Sequence, residues 1–249
     1  MVLAVGLSAS VANADFGAAP LPVEVARRPL TLPADTVALE LGLGLVETAG
    51  FGSTLVGGLR YAHGVHDDLE LTIEPVSAAL APSQELLRPG LDLTYRPIVG
   101  WAELAVRAGA SFPADPDRSG QLRLSVPMRF HIDALVRVDV LAELSAEVGP
   151  RTRTFLRGPL VITLQPHPLV FAGISGALRT DLDDWSTIAV AAGVHAGFTV
   201  PEPGGRPVLD VAASFGFPSL VEPFAADQVV TERWFLTLSG TGYFGVGAR

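Results

Sequence analysis

From residue 36 almost to its C-terminus, the chain alternates apolar and polar side chains with a period of two. In 36–46, Val37, Leu39, Leu41, Leu43 and Leu45 share one face, while Ala38, Glu40, Gly42 and Gly44 share the other. Residues 68–75 set Leu69, Leu71 and Ile73 against Asp68, Glu70, Thr72 and Glu74. Residues 121–132 set Leu122, Leu124, Val126, Met128, Phe130 and Ile132 against Gln121, Arg123, Ser125, Arg129 and His131. A helix repeats every 3.6 residues and cannot hold such a face, whereas a strand sends successive side chains to opposite sides. The same reading predicts strands near 54–62, 90–96, 101–112, 134–147, 156–165, 169–179, 186–200, 207–217 and 233–246, twelve in all. The 26 glycines and 20 prolines fit strands and turns and argue against a helical bundle.

Many of these strands run to about 10 residues or more, where soluble sheets average about 5 to 6 and a tilted strand needs about 9 to 11 to cross a bilayer. Longer connections tend to alternate with shorter ones, although those at 113–120 and 201–206 blur the pattern. If the first strand rises, five descending strands close on Tyr61, Tyr95, Phe130, Phe198 and Phe244, and Phe112, Phe215, Phe217 and Trp234 sit near the opposite rim. Two aromatic levels around an aliphatic band suit a wall facing lipid, because amphipathic rings settle at the headgroup level. No Asp, Glu, Arg or His falls on the apolar face of these segments.

On these features the chain resembles bacterial outer-membrane β-barrel proteins of the porin kind over residues 36–246. The last strand, with Tyr243 and Phe244 near its end, is similar to the C-terminal signal by which such barrels are recognised for assembly, although Gly247, Ala248 and Arg249 follow it. The resemblance implies an all-β, transmembrane, antiparallel up-and-down β-barrel of about twelve strands at 36–249 in the outer membrane of a Gram-negative bacterium. Outer-membrane lipid, lipopolysaccharide and the barrel-assembly machinery are the partners it brings with it. A soluble, secreted β-sandwich explains the alternation equally well and stands as an alternative.

The first fourteen residues are uncharged, mostly small or apolar, and end Ala12-Asn13-Ala14, the shape of a secretory signal peptide. Residues 15–35 then form a periplasmic N-terminal segment that either lies extended or tucks into the lumen as a partial plug. No later apolar stretch reaches the roughly 20 residues of a spanning helix. The net charge of −9, with every basic residue an arginine, argues against nucleic acid as a partner. Without cysteine there is no disulfide framework, thiolate metal site or cysteine nucleophile.

With the apolar face assigned to lipid, the other face becomes the working surface. One stretch of wall brings Glu70, Glu74, Asp92, Arg96, Glu103, Arg107, Arg123, Arg129, Arg137, Asp139 and Glu143 inward. The remainder brings small residues such as Gly42, Gly173, Ser175, Gly193, Ser214 and Thr237. Acids beside arginines set up a transverse field in a water-filled constriction, so the expected function is a passive diffusion channel for small hydrophilic solutes, polar or zwitterionic. The alternative is a non-conducting barrel whose charges pair and fill the lumen, with a structural or surface-interaction role.

An enzyme is not expected. A lipase of this architecture needs Ser and His on the lipid face, and a protease needs His and Asp at the outer mouth, where no histidine maps. His63, His66, His131 and His167 read as solvated residues of three separate turns, so neither a metal nor another cofactor is expected. Arg151, Arg153 and Arg157 read as loop residues suited to lipopolysaccharide phosphates.

Overall fold

The computed structural model describes residues 21–48, 52–82, 85–86, 89–113, 119–149, 152–183, 188–221 and 233–245. Residues 1–14, read as a signal peptide, lie outside this set, as do 15–20, Arg151 and 246–249. The strands are β1 (Thr36–Thr48), β2 (Gly52–His66), β3 (Leu69–Ala81), β4 (Glu85–Leu86), β5 (Gly90–Ile98), β6 (Ala102–Ser111), β7 (Gly120–His131), β8 (Val136–Val148), β9 (Arg153–His167), β10 (Val170–Asp181), β11 (Ala189–Pro201), β12 (Pro207–Val221) and β13 (Trp234–Gly245). The two-residue β4 pairs with the end of β3 in the same register as β5, so it lengthens that wall strand and adds no strand of its own. The other twelve strands form the barrel.

Each wall strand pairs antiparallel with its neighbours, from β3 and β5 through to β12 and β13. Pairing of β1 with both β13 and β2, and of β2 with β3, closes the sheet into a ring. Closure removes both free edges, which a membrane-spanning sheet requires because lipid offers no hydrogen-bond partners. The connections 67–68, 99–101, 132–135, 168–169 and 202–206 make a rim of tight turns, and the strand ends that the longest connections join, at 82–89, 112–119, 182–188 and 222–233, all lie on the other rim.

The alternation resolves into outside and inside. Leu41 is 59% exposed, Leu124 53% and Leu238 55%, and the same holds around the ring for Leu93, Leu144, Ile174 and Val194. Glu70, Arg96, Arg129, Arg137 and Thr163, on the other face, are buried. A soluble monomer rarely exposes an apolar patch above about 300–600 Å², and this belt encircles the whole molecule. The sandwich alternative is overturned, since these leucines point away from the fold and, among the described residues, all strands belong to the one closed sheet.

Several strands run past the limits read from the sequence. The eight-residue segment expected at 68–75 is the start of β3, which continues to Ala81. A register shift between β2 and β3 at Leu59/Tyr61, where Ile73 is followed by Val76 on the outer face, changes the parity of that face. Leu69, Leu71 and Ile73 therefore share it with Val76 and Leu80, which are exposed. A bulge adds one residue and hides the continuing alternation from a strict period-two reading. β9 likewise begins at Arg153 and not near residue 156.

Candidate functional site

The lumen is lined by the inward face of every wall strand, and its two halves differ. From β3 to β9 it carries charges that the antiparallel register sets side by side. Glu103 lies opposite Arg129, and Arg129 opposite Asp139. Arg129 Nε donates to Asp139 Oδ1 at 2.5 Å, Arg137 Nε lies 2.8 Å from Asp139 Oδ2, and Arg96 Nη1 donates to Glu103 Oε2 at 3.2 Å. Nearer the long-loop rim, Arg123 Nη2 donates to Asp92 Oδ2 at 2.9 Å, Arg107 Nε donates to Thr94 Oγ1 at 3.0 Å, and Glu143 stands 3.7 Å from Arg157. Glu70 accepts from Thr72, and Glu74 lies opposite Gly90.

The residues Glu70, Glu74, Asp92, Arg96, Glu103, Arg107, Arg123, Arg129, Arg137, Asp139 and Glu143 thus share one wall, where Arg96–Glu103 and Arg129–Asp139 pair across adjacent strands, Arg137–Asp139 pairs along β8, and Arg123–Asp92 reaches across the intervening β6. Arg60 on β2 adds to the set, 3.5 Å from Glu40 on β1 and 3.9 Å from Glu70. The opposite half is built from small side chains, and its larger groups lie over glycines. A Cβ on Gly197 would fall 2.4 Å from the Phe171 ring, and one on Gly216 would fall 2.8 Å from Phe235. On the charged side, a Cβ on Gly109 would overlap the Asp92 carboxylate at 1.7 Å.

Near the tight-turn rim, residues 21–35 run inside the ring as a strap. A single 3-10 turn, Val25–Arg27, is its only regular structure. Its polar backbone is taken up by wall side chains: Ala26 N–H by Gln165 Oε1 at 3.0 Å, Leu30 N–H by Glu103 Oε2 at 2.8 Å and Leu32 N–H by Glu70 Oε2 at 2.9 Å. Arg129 donates to the Arg28 carbonyl at 2.8 Å and to the Pro29 carbonyl, and Arg137 donates to the Val25 carbonyl. Leu21 and Leu32 pack with Ala38, Ala62 and Tyr243 on the neighbouring inner wall. Of the two placements open to residues 21–35, these contacts are those of the lumen.

Arg28 is the centre of this docking. Its side chain is fully buried and forms an ion pair with Asp210 through both Nη atoms. It also donates to Tyr243 Oη at 3.0 Å and Thr199 Oγ1 at 3.3 Å, and Nε donates to the Pro22 carbonyl at 2.8 Å. Burial alone lowers the pKa of a guanidinium, but Tyr243 and Asp210 outweigh it and hold Arg28 above the ordinary arginine value. Tyr243 in turn donates to Asp210 Oδ2 at 2.7 Å.

No protein-family model matches the chain, and no curated protein sequence matches it. Solved structures do. The NanC porin is similar with a TM-score of 0.63 at 7% identity, over 83% of this chain and 99% of that one. An outer membrane channel from Pseudomonas putida F1 gives a TM-score of 0.61 at 12% identity, over 86% and 97%. The KdgM porin in complex with disordered oligogalacturonate gives 0.59 at 10% identity, over 83% and 99%. The chain has the outer-membrane porin fold.

Within that fold, Tyr61, Tyr95, Phe130, Phe198 and Phe244 stand near the tight-turn ends of their strands, and Phe112, Phe215, Phe217 and Trp234 near the long-loop ends. Tyr95, Phe112, Phe198, Phe215 and Phe244 are exposed on the outer face, and Phe215 packs against Phe217 and Trp234 at centroid distances of 5.4 and 6.2 Å. Trp101, 73% exposed and 6.1 Å from the Phe130 ring, joins the first group.

Two assignments need correction. His131 is no solvated turn residue: Nε2 meets Glu103 Oε1 and Nδ1 meets the Ala26 carbonyl, each at 2.9 Å. Its inward parity on β7 was visible, but its partner on the strap was not. Arg157 is no loop residue either, because the longer β9 carries it into the lumen beside Glu143. Arg28, Asp210, Thr199, Gln165 and Tyr243 escaped the sequence reading of the site. Their roles come from convergence in space, and the available signals were the Arg27-Arg28 pair within the mostly apolar run 21–32 and one inward acid on a wall of small residues.

Proposed function

We propose that the protein is an outer-membrane channel through which small hydrophilic solutes pass by passive diffusion. The observation that carries this reading is the opposition of the two faces of a closed ring: an aliphatic exterior at the scale of a bilayer and a polar interior. The porin fold of the similar structures supports it, and it is a non-enzymatic role. Outer-membrane lipid, lipopolysaccharide and the assembly machinery are the partners of such a barrel, with the aromatic residues at both rims marking the headgroup levels.

The charged wall tunes selectivity in this reading. Glu70, Glu74, Asp92, Glu103, Asp139 and Glu143 are interspersed on β3 to β8 with Arg96, Arg107, Arg123, Arg129 and Arg137, facing a wall of small residues. A solute between them meets a transverse field, which favours dipolar and zwitterionic molecules over ions of either sign. A second reading, a non-conducting barrel, is favoured by the ion pairs and by the strap across the lumen. Swelling of proteoliposomes in isosmotic glycine or a pentose separates the two, because minutes of swelling integrate even rare openings. Swelling that slows with solute size is the expected result, and none at any solute size removes the channel reading.

A further inference from the structure

Glu103 on β6 and Asp210 on β12 stand on opposite sides of the ring: the wall runs between them through β7, β8, β9, β10 and β11 one way and through β5, β3, β2, β1 and β13 the other. Both hold the strap, Asp210 through the Arg28 side chain and Glu103 through the Leu30 amide, two residues further on. A segment bound at both ends of a diameter crosses the pore. While the strap is docked, the lumen charges at this level are engaged with its backbone, and they face a solute only once it leaves.

We propose that residues 21–35 are a plug that closes the tight-turn mouth, latched by Arg28 on Asp210, and that solute passage requires its undocking. The proposal rests on the channel reading. Three features make the strap separable from the wall. It adds no strand to the sheet, and the ring closes through β1, β2 and β13 without it. It joins β1 at Asp35, whose φ of 61° marks a turn in the left-handed region, where Asp is tolerated. It also lies against Gly64 so closely that a Cβ there would sit 2.0 Å from the Pro33 carbonyl oxygen and 2.5 Å from that of Leu32. Those contacts are backbone, so a larger residue at 64 has to displace the strap or the strand.

Two variants of the full chain attack the docking from different sides, Gly64→Val by volume and Asp210→Ala by leaving the Arg28 charge buried and unpaired. Thr31→Cys supplies the reporter, since Thr31 is fully buried and the chain has no other thiol. Folding is checked by the heat-modifiable electrophoretic mobility of the barrel. Labelling by a water-soluble maleimide is expected to rise by about tenfold or more in both variants, the change produced by losing about 1.4 kcal/mol of docking. Single-channel conductance in planar bilayers is expected to rise severalfold alongside. If labelling rises while conductance stays at the wild-type level, the plug is overturned and the channel reading stands. If folded variants stay unlabelled, the latch assignment is overturned. If labelling rises and neither parent nor variant conducts, the channel reading falls and the plug falls with it.

Discussion

Arg28 and Asp210, 182 residues apart in the chain, form a buried ion pair that ties the N-terminal segment to the inner wall of the barrel. Tyr243, Thr199 and the Pro22 and Val23 carbonyls are the further partners of the guanidinium. Removing one member of a buried pair leaves the other charged and unsatisfied, at a cost of about 3–5 kcal/mol. Asp210→Ala is therefore expected to lower the stability of strap docking by that order, while the barrel stays assembled. Limited proteolysis within 21–35 reads the docking. A double-mutant cycle with Arg28→Met is expected to recover part of the loss, since both charges are then gone.

Leu124, near the middle of β7, faces outward while its neighbours Arg123 and Ser125 face the lumen. Leu124→Arg is expected to destabilise the barrel by about 2–4 kcal/mol in urea titrations from lipid vesicles, the depth-dependent cost of a charge on the lipid side. Ser125→Ala, on the inner face, is expected to change stability far less. Equal effects at the two positions would contradict the assignment of faces.

Asp92 reaches Arg123 by lying over Gly109, where a Cβ would overlap its carboxylate. Gly109→Ala must push Asp92 aside, so a loss of about 1–3 kcal/mol is expected from overpacking. Asp92→Ala in the same background should relieve most of it. Unfolding midpoints of the two single variants and the double variant check this.

Arg123 is only partly buried, so its charge faces the lumen even while paired. Arg123→Ala leaves the Asp92 carboxylate without its partner and turns the local field negative. The reversal potential in a salt gradient is expected to shift toward cation selectivity, and Asp92→Asn to shift it the other way. An unchanged potential in both would place the selectivity elsewhere in the pore.

The wall was legible because strands write their two faces into the sequence one residue at a time. The division of Leu39, Leu41 and Leu43 from Ala38, Glu40 and Gly42 needs no knowledge of any other strand. Strand ends were less legible: a bulge shifts the outer parity of β3, so Val76 and Leu80 broke a pattern that in fact continues. The strap was hardly legible at all. Its docking depends on Gln165, Glu103, Glu70 and Asp210 meeting at one level of the barrel, and that level is set by register across strands distant in sequence. His131 misled for the same reason, its parity being evident and its partner not.

Thr237 and Leu238 are consecutive on β13, one facing the lumen and the other 55% exposed outside. In a chain without cysteine, each can be made the only thiol in turn. Adding a charged, water-soluble thiosulfonate reagent to reconstituted protein while recording conductance is the most direct measurement. The account predicts that Thr237→Cys is modified and its current falls, whereas Leu238→Cys, shielded by lipid, keeps its current. Modification and block at Leu238→Cys with none at Thr237→Cys would contradict it.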